Sequence, residues 1–86
     1  MNMLKDMILT EIEGQFYAVP VGDAAKRFSG MIRMNGTGKR IFELLTEGQD
    51  EDGVVRQLTE EYDVDVTTAR ENVAAFLNKL RGAGLL

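Results

Sequence analysis

The apolar residues of this chain change their period once, close to Asn35, and that change fixes the class of fold open to it. Before Asn35 they alternate. Ile8 and Ile12 share a face across Thr10 in the stretch Met7 to Ile12. Glu13-Gly14 then offers a tight turn, because glycine takes positive φ without cost. From Gln15 to Val21 alternation resumes, with Tyr17, Val19 and Val21 on one face and Phe16 and Ala18 on the other. Pro20 cannot donate to a ladder and belongs near a strand end or an edge. The stretch Gly22 to Ser29 reads as a loop. Gly30 to Met34 reads as a third strand, with Ile32 and Met34 opposite Met31 and Arg33.

After Asn35 the spacing is helical. Asn35 or Thr37 can cap a helix that carries Ile41, Phe42, Leu44 and Leu45 and stops at Gly48. Asp50 can cap a second, with Val54, Val55, Leu58 and Tyr62 on one side; Gly53 weakens it by up to about 1 kcal/mol relative to Ala. Asp65 can cap a third, with Val64 and Ala69 at the positions of a hydrophobic staple. Val66, Ala69, Val73, Phe76, Leu77 and Leu80 recur along it, Gly82 and Gly84 end it, and Leu85-Leu86 can fold back on the core. A hairpin, a third strand and three helices make one α+β domain of winged helix-turn-helix type over residues 1–86, a three-stranded antiparallel sheet followed by three helices. Phe42, Leu45, Leu58, Val73, Phe76 and Leu80 are the expected core.

Composition narrows the function. With neither cysteine nor histidine among 86 residues, the chain lacks the commonest general base and the commonest soft metal ligands. The expectation is no catalysis, no metal and no cofactor. No apolar run reaches the length of a membrane span, and Met1 to Met7 lacks the apolar segment of a secretory signal, so a cytoplasmic location is expected. The formal charge of −4 reverses the basic excess of most nucleic-acid binders.

Local clusters carry ordinary explanations. Asp50, Glu51 and Asp52 suit a helix N-terminus and do not match a calcium loop. Asn35-Gly36-Thr37-Gly38-Lys39 lacks the spacing of a phosphate-binding loop. Glu60 and Glu61 diverge on a helix, and Tyr17 and Tyr62 read as amphipathic core members. The last helix is more informative. Ala69, Val73, Phe76 and Leu80 form its core stripe, while Arg70, Ala74, Leu77 and Arg81 fall on one flank. That flank is either a solvated surface with Leu77 tucked inward or the wall of a groove for an apolar, acidic peptide. A three-stranded sheet also leaves an edge to which another chain can add a strand.

The segment Phe28-Ser29-Gly30-Met31-Ile32-Arg33-Met34-Asn35-Gly36-Thr37-Gly38, with Ile41-Phe42-Glu43-Leu44-Leu45 after it, resembles the PqqD family, as does the tail from Val73 to Leu86. The likeness takes in Tyr62-Asp63-Val64. It departs at Met34, where the family usually has Leu, and at Gly53, where an acidic residue would complete a capping box. The resemblance implies a domain that binds the leader segment of a ribosomally made precursor peptide and presents it to a modifying enzyme, often a radical S-adenosylmethionine enzyme. It implies that the leader adds to the edge of the third strand beside the last helix. The expected peptide-binding residues are therefore Gly30, Met31, Ile32, Arg33 and Met34 with Arg70, Ala74, Leu77 and Arg81, the two flanking arginines meeting acidic leader residues. A homodimer through the strand edge, or by strand exchange through the Gly22–Ser29 loop, is a further expectation. The competing reading is a winged-helix DNA-binding regulator using Thr67, Arg70, Asn78 or Lys79, which Glu71 and the overall acidity oppose.

Overall fold

In the computed structural model, residues 4–27 and 30–85 are described. A single 3₁₀ turn, Leu4–Asp6, leads into strands β1 (Met7–Ile12) and β2 (Gln15–Pro20); helix α1 (Asp23–Arg27) precedes strand β3 (Ile32–Met34), and helices α2 (Gly36–Thr46), α3 (Glu51–Glu61) and α4 (Val66–Gly82) follow. The sheet is antiparallel throughout in the order β1-β2-β3, so both β1 and β3 are edges. This is the α+β architecture that the change of period implies, a three-stranded sheet followed by three helices.

The hairpin turns where expected. Glu13 and Gly14 both have positive φ, +52° and +81°, as a two-residue turn matched to the strand twist requires. Pairing Ile8 with Val19 and Thr10 with Tyr17 puts one alternating set on the outer face. The other set, Met7, Ala18, Ile32 and Met34, is buried against the helices. The outer face stays open, with Ile8 and Ile12 exposed.

All three expected caps form. Asn35, Asp50 and Asp65 each accept a hydrogen bond from the backbone N–H three residues on, at 2.8, 2.8 and 2.7 Å. The Thr68 N–H holds the Asp65 carboxyl below the usual range. At the far end of α4, Gly84 takes φ +81° and the Leu85 N–H returns to the Leu80 carbonyl at 2.9 Å, which drives Leu85 into the core. Leu86 lies outside the described residues.

Four expectations need correction. The segment expected as a loop between β2 and β3 contains α1, too short to persist alone and anchored by the burial of Ala24; Phe28 and Ser29 lie outside the described residues. The third strand is shorter than expected: Gly30, at φ +102°, and exposed Met31 precede it. Tyr62 is exposed and caps the end of α3, and Leu45 is only half-buried. Phe42, Leu58, Val73, Phe76 and Leu80 are buried as expected.

An ion pair fixes α2 against the end of α3. Arg40 meets Glu61 through two bonds, Nε to Oε1 at 2.8 Å and Nη2 to Oε2 at 2.7 Å. Gln57 adds a third bond to Glu61 at 2.7 Å. The Arg40 guanidinium, helped by Gln57, pulls the Glu61 carboxyl down to about 2.

Candidate functional site

Helix α2 starts immediately after β3, and α4 crosses beside that junction. Gly38 makes the close approach possible. A Cβ there would stand 3.1 Å from the Met34 Cβ and 3.3 Å from Cε1 of Phe76, so hydrogen is the side chain that fits without a shift. Outside this contact the surfaces diverge into a groove of about 480 Å³. Arg33, Met34 and Asn35 form one wall; Asn72, Ala75, Phe76 and Lys79 of α4 form the other. Thr37, Gly38 and Ile41 close one side, and Gln15 reaches the groove from β2.

The volume falls in the range of small-molecule pockets. Among the described residues no polar or charged side chain is fully buried, so the polar groups of the groove stay in contact with solvent. Among the same residues no cluster of three His, Cys, Asp or Glu could hold a metal ion. What the groove offers is a mixed lining, apolar at Met34, Ile41, Ala75 and Phe76 and polar at Asn35 and Asn72, with the cation Lys79 and no carboxylate. In a chain of charge −4 that is a local reversal of sign.

The backbone of β3 supplies the other half of the site. Register pairs Phe16 with Met34, Tyr17 with Arg33 and Ala18 with Ile32. The Arg33 carbonyl accepts from Lys79 Nζ at 2.6 Å, which turns it away from β2 and toward the open edge. In an antiparallel ladder the N–H and C=O of one residue point the same way, so the Arg33 N–H also faces outward. Ile32 and Met34 bond inward to β2 by the same alternation. Within this short strand, Arg33 is the residue that can exchange two main-chain bonds with an added strand.

The structure brings only part of the expected peptide-binding set together. Arg33 and Met34 line the groove. Ile32 is buried beneath the sheet, and Gly30 and Met31 lie before the strand, Met31 with 51% of its surface exposed. None of Arg70, Ala74, Leu77 and Arg81 lines the groove. Arg70 pairs with Asp52 at 3.1 Å and borders a separate depression with Val55, Arg56 and Thr59 of α3. Leu77 is 5% exposed and belongs to the core, Ala74 is half-buried, and Arg81 turns to Asn78 on its own helix. The expected flank of α4 is therefore the one that α3 covers. The flank facing β3 carries Asn72, Ala75 and Lys79. The signal that could have found it is the 3.6-residue wheel itself, which places Lys79 about 200° around the axis from Arg81.

Of the residues considered for DNA contact, Arg70 and Lys79 are engaged within the protein, with Asp52 and the Arg33 carbonyl respectively. No helix among the described residues is long and apolar enough to cross a membrane.

The profile of the family described as Coenzyme PQQ synthesis protein D (PqqD) matches residues 6–86. A solved structure described as TbiB1 in complex with the TbiA(beta) leader peptide superposes with a TM-score of 0.75 at 23% sequence identity, covering 100% of this chain and 94% of that one. At that identity the likeness establishes a shared fold. No curated protein matches the chain.

Proposed function

Because the chain belongs to the PqqD family, we propose that it binds the leader segment of a ribosomally made precursor peptide and presents it to a modifying enzyme, without catalysing a step itself. The observation that carries this reading is the outward-facing Arg33 backbone on a strand edge, set beside a groove of mixed polar and apolar lining that contains Lys79 and no acids. A peptide laid antiparallel along β3 gains main-chain bonds at Arg33, while its alternate side chains rest on Met34, Ala75 and Phe76. The fold shared with a protein solved with a leader peptide supports the same reading. A radical S-adenosylmethionine enzyme is the proposed recipient of the bound peptide, in keeping with the family resemblance.

The expected contact set is accordingly Arg33 and Met34 with Asn72, Ala75, Phe76 and Lys79, in place of the Arg70–Arg81 flank. An amide-shift titration tests this, using the precursor encoded by a short reading frame beside that of the modifying enzyme. Large shifts should fall on residues 31–35 and 72–79. Shifts concentrated on α3 and on Arg70 would place the peptide on the other side of α4 and overturn the contact set. DNA binding is the contrasting outcome: retention on heparin at low salt would favour it, and passage straight through is expected.

A further inference from the structure

The backbone acceptor most exposed to an incoming strand is already occupied. Lys79 Nζ reaches across the groove from α4 and donates to the Arg33 carbonyl at 2.6 Å. Its side chain lines the groove beside the edge along which an added backbone must run. We propose that Lys79 guards the β3 edge in the free protein, and that the peptide the groove accepts carries an acidic side chain that draws Lys79 off the Arg33 carbonyl as the new strand forms. This rests on the peptide-binding reading above and adds to it a gate and a sequence requirement on the peptide.

The chemistry follows from three observations. An open sheet edge invites pairing with any extended chain, and a lysine is a common natural protection. Here the lysine fills the acceptor itself. Its ammonium sits on a flexible stem with rotatable donors, so it can swing aside with little strain; a planar guanidinium holds a more fixed geometry. Once displaced and covered by a peptide, the ammonium needs a partner, and the groove lining contains no Asp or Glu to provide one. A carboxylate on the peptide, close to the residue that pairs with Arg33, satisfies the displaced ammonium.

The test uses displayed libraries of short random peptides selected on the whole protein and on Lys79→Met, which keeps an apolar stem and removes the ammonium. Peptides selected by the natural sequence should share an Asp or Glu at one aligned position, and that preference should vanish among those selected by Lys79→Met. One such acidic peptide should bind Lys79→Met about 2–5-fold more weakly at low salt. Its Asp→Asn or Glu→Gln counterpart should bind Lys79→Met more tightly than it binds the natural protein, because no ammonium then has to move. In the free state, the Arg33 carbonyl ¹³C resonance should shift upfield in Lys79→Met. An unmoved Arg33 resonance, or an acidic preference that persists without Lys79, overturns the guard. If both proteins select the same peptides, peptide binding stands and the guard falls. If neither selects any, the peptide-binding reading falls with it.

Discussion

Replacing Phe76 with Ala tests the junction on which both fold and groove depend. The ring is 7% exposed and touches the space above Gly38, so it holds α4 against the start of α2 and the end of β3. Burying a phenylalanine side chain contributes about 1.5–3 kcal/mol from transfer alone. Truncation adds a cavity penalty, and Phe→Ala changes in cores commonly cost about 3–5 kcal/mol. The edge of this ring borders an open groove that water can enter, which relieves part of the cavity term. The expected loss is therefore near the lower end, about 3 kcal/mol. A domain of this size has about 4–13 kcal/mol in hand, so the variant should fold but marginally. Urea denaturation followed by far-UV circular dichroism should show the midpoint falling by about 1–3 M with an unchanged slope. A loss below about 1 kcal/mol would mean that Phe76 packs no core, and the helical phase of α4 would be wrong.

Two glycines should respond oppositely to alanine. At Gly38 the new methyl would press on the Met34 Cβ and the Phe76 ring, both held by the core, so Gly38→Ala should destabilise and shift the amides of β3; an increase in stability would show that this junction has slack. At Gly53 the nearest obstacle is the mobile end of Gln49, at 2.7 Å, so Gly53→Ala should gain about 0.4–1 kcal/mol in a urea titration, and a loss would mean that the Asp50 cap had been displaced. The Glu61 ion pair should show in the pH dependence. Its carboxyl titrates near 2 when folded against an ordinary 4.5, so its contribution is complete above about 4.5 and is lost as the pH falls toward 2. The Tm gap between the natural protein and Glu61→Gln should be steady above pH 5 and close below 4.5; a gap that stays constant down to pH 3 would refute the role of the pair.

The features legible in the sequence are those set by short-range geometry. The helix starts at Asn35, Asp50 and Asp65 could be read because a cap bonds only three residues along the chain. The Glu13-Gly14 turn and the two faces of each strand follow from local backbone angles and the two-residue pleat. The core stripe of α4 follows from 3.6-residue periodicity and is buried as expected. A stripe, however, has two flanks, and nothing local distinguishes them. Arg70, Ala74, Leu77 and Arg81 made the more suggestive pattern, with two cations bracketing apolar residues. Tertiary packing instead lays α3 over that side, buries Leu77 and spends Arg70 on Asp52. The other flank faces β3 because α2 begins directly after the strand and Gly38 lets α4 close on the junction. Only there do Lys79 and the Arg33 carbonyl meet, 46 residues apart in the chain. Local periodicity determines which residues a helix buries; the side of the helix that meets a strand edge is set by the long-range packing of all its neighbours at once.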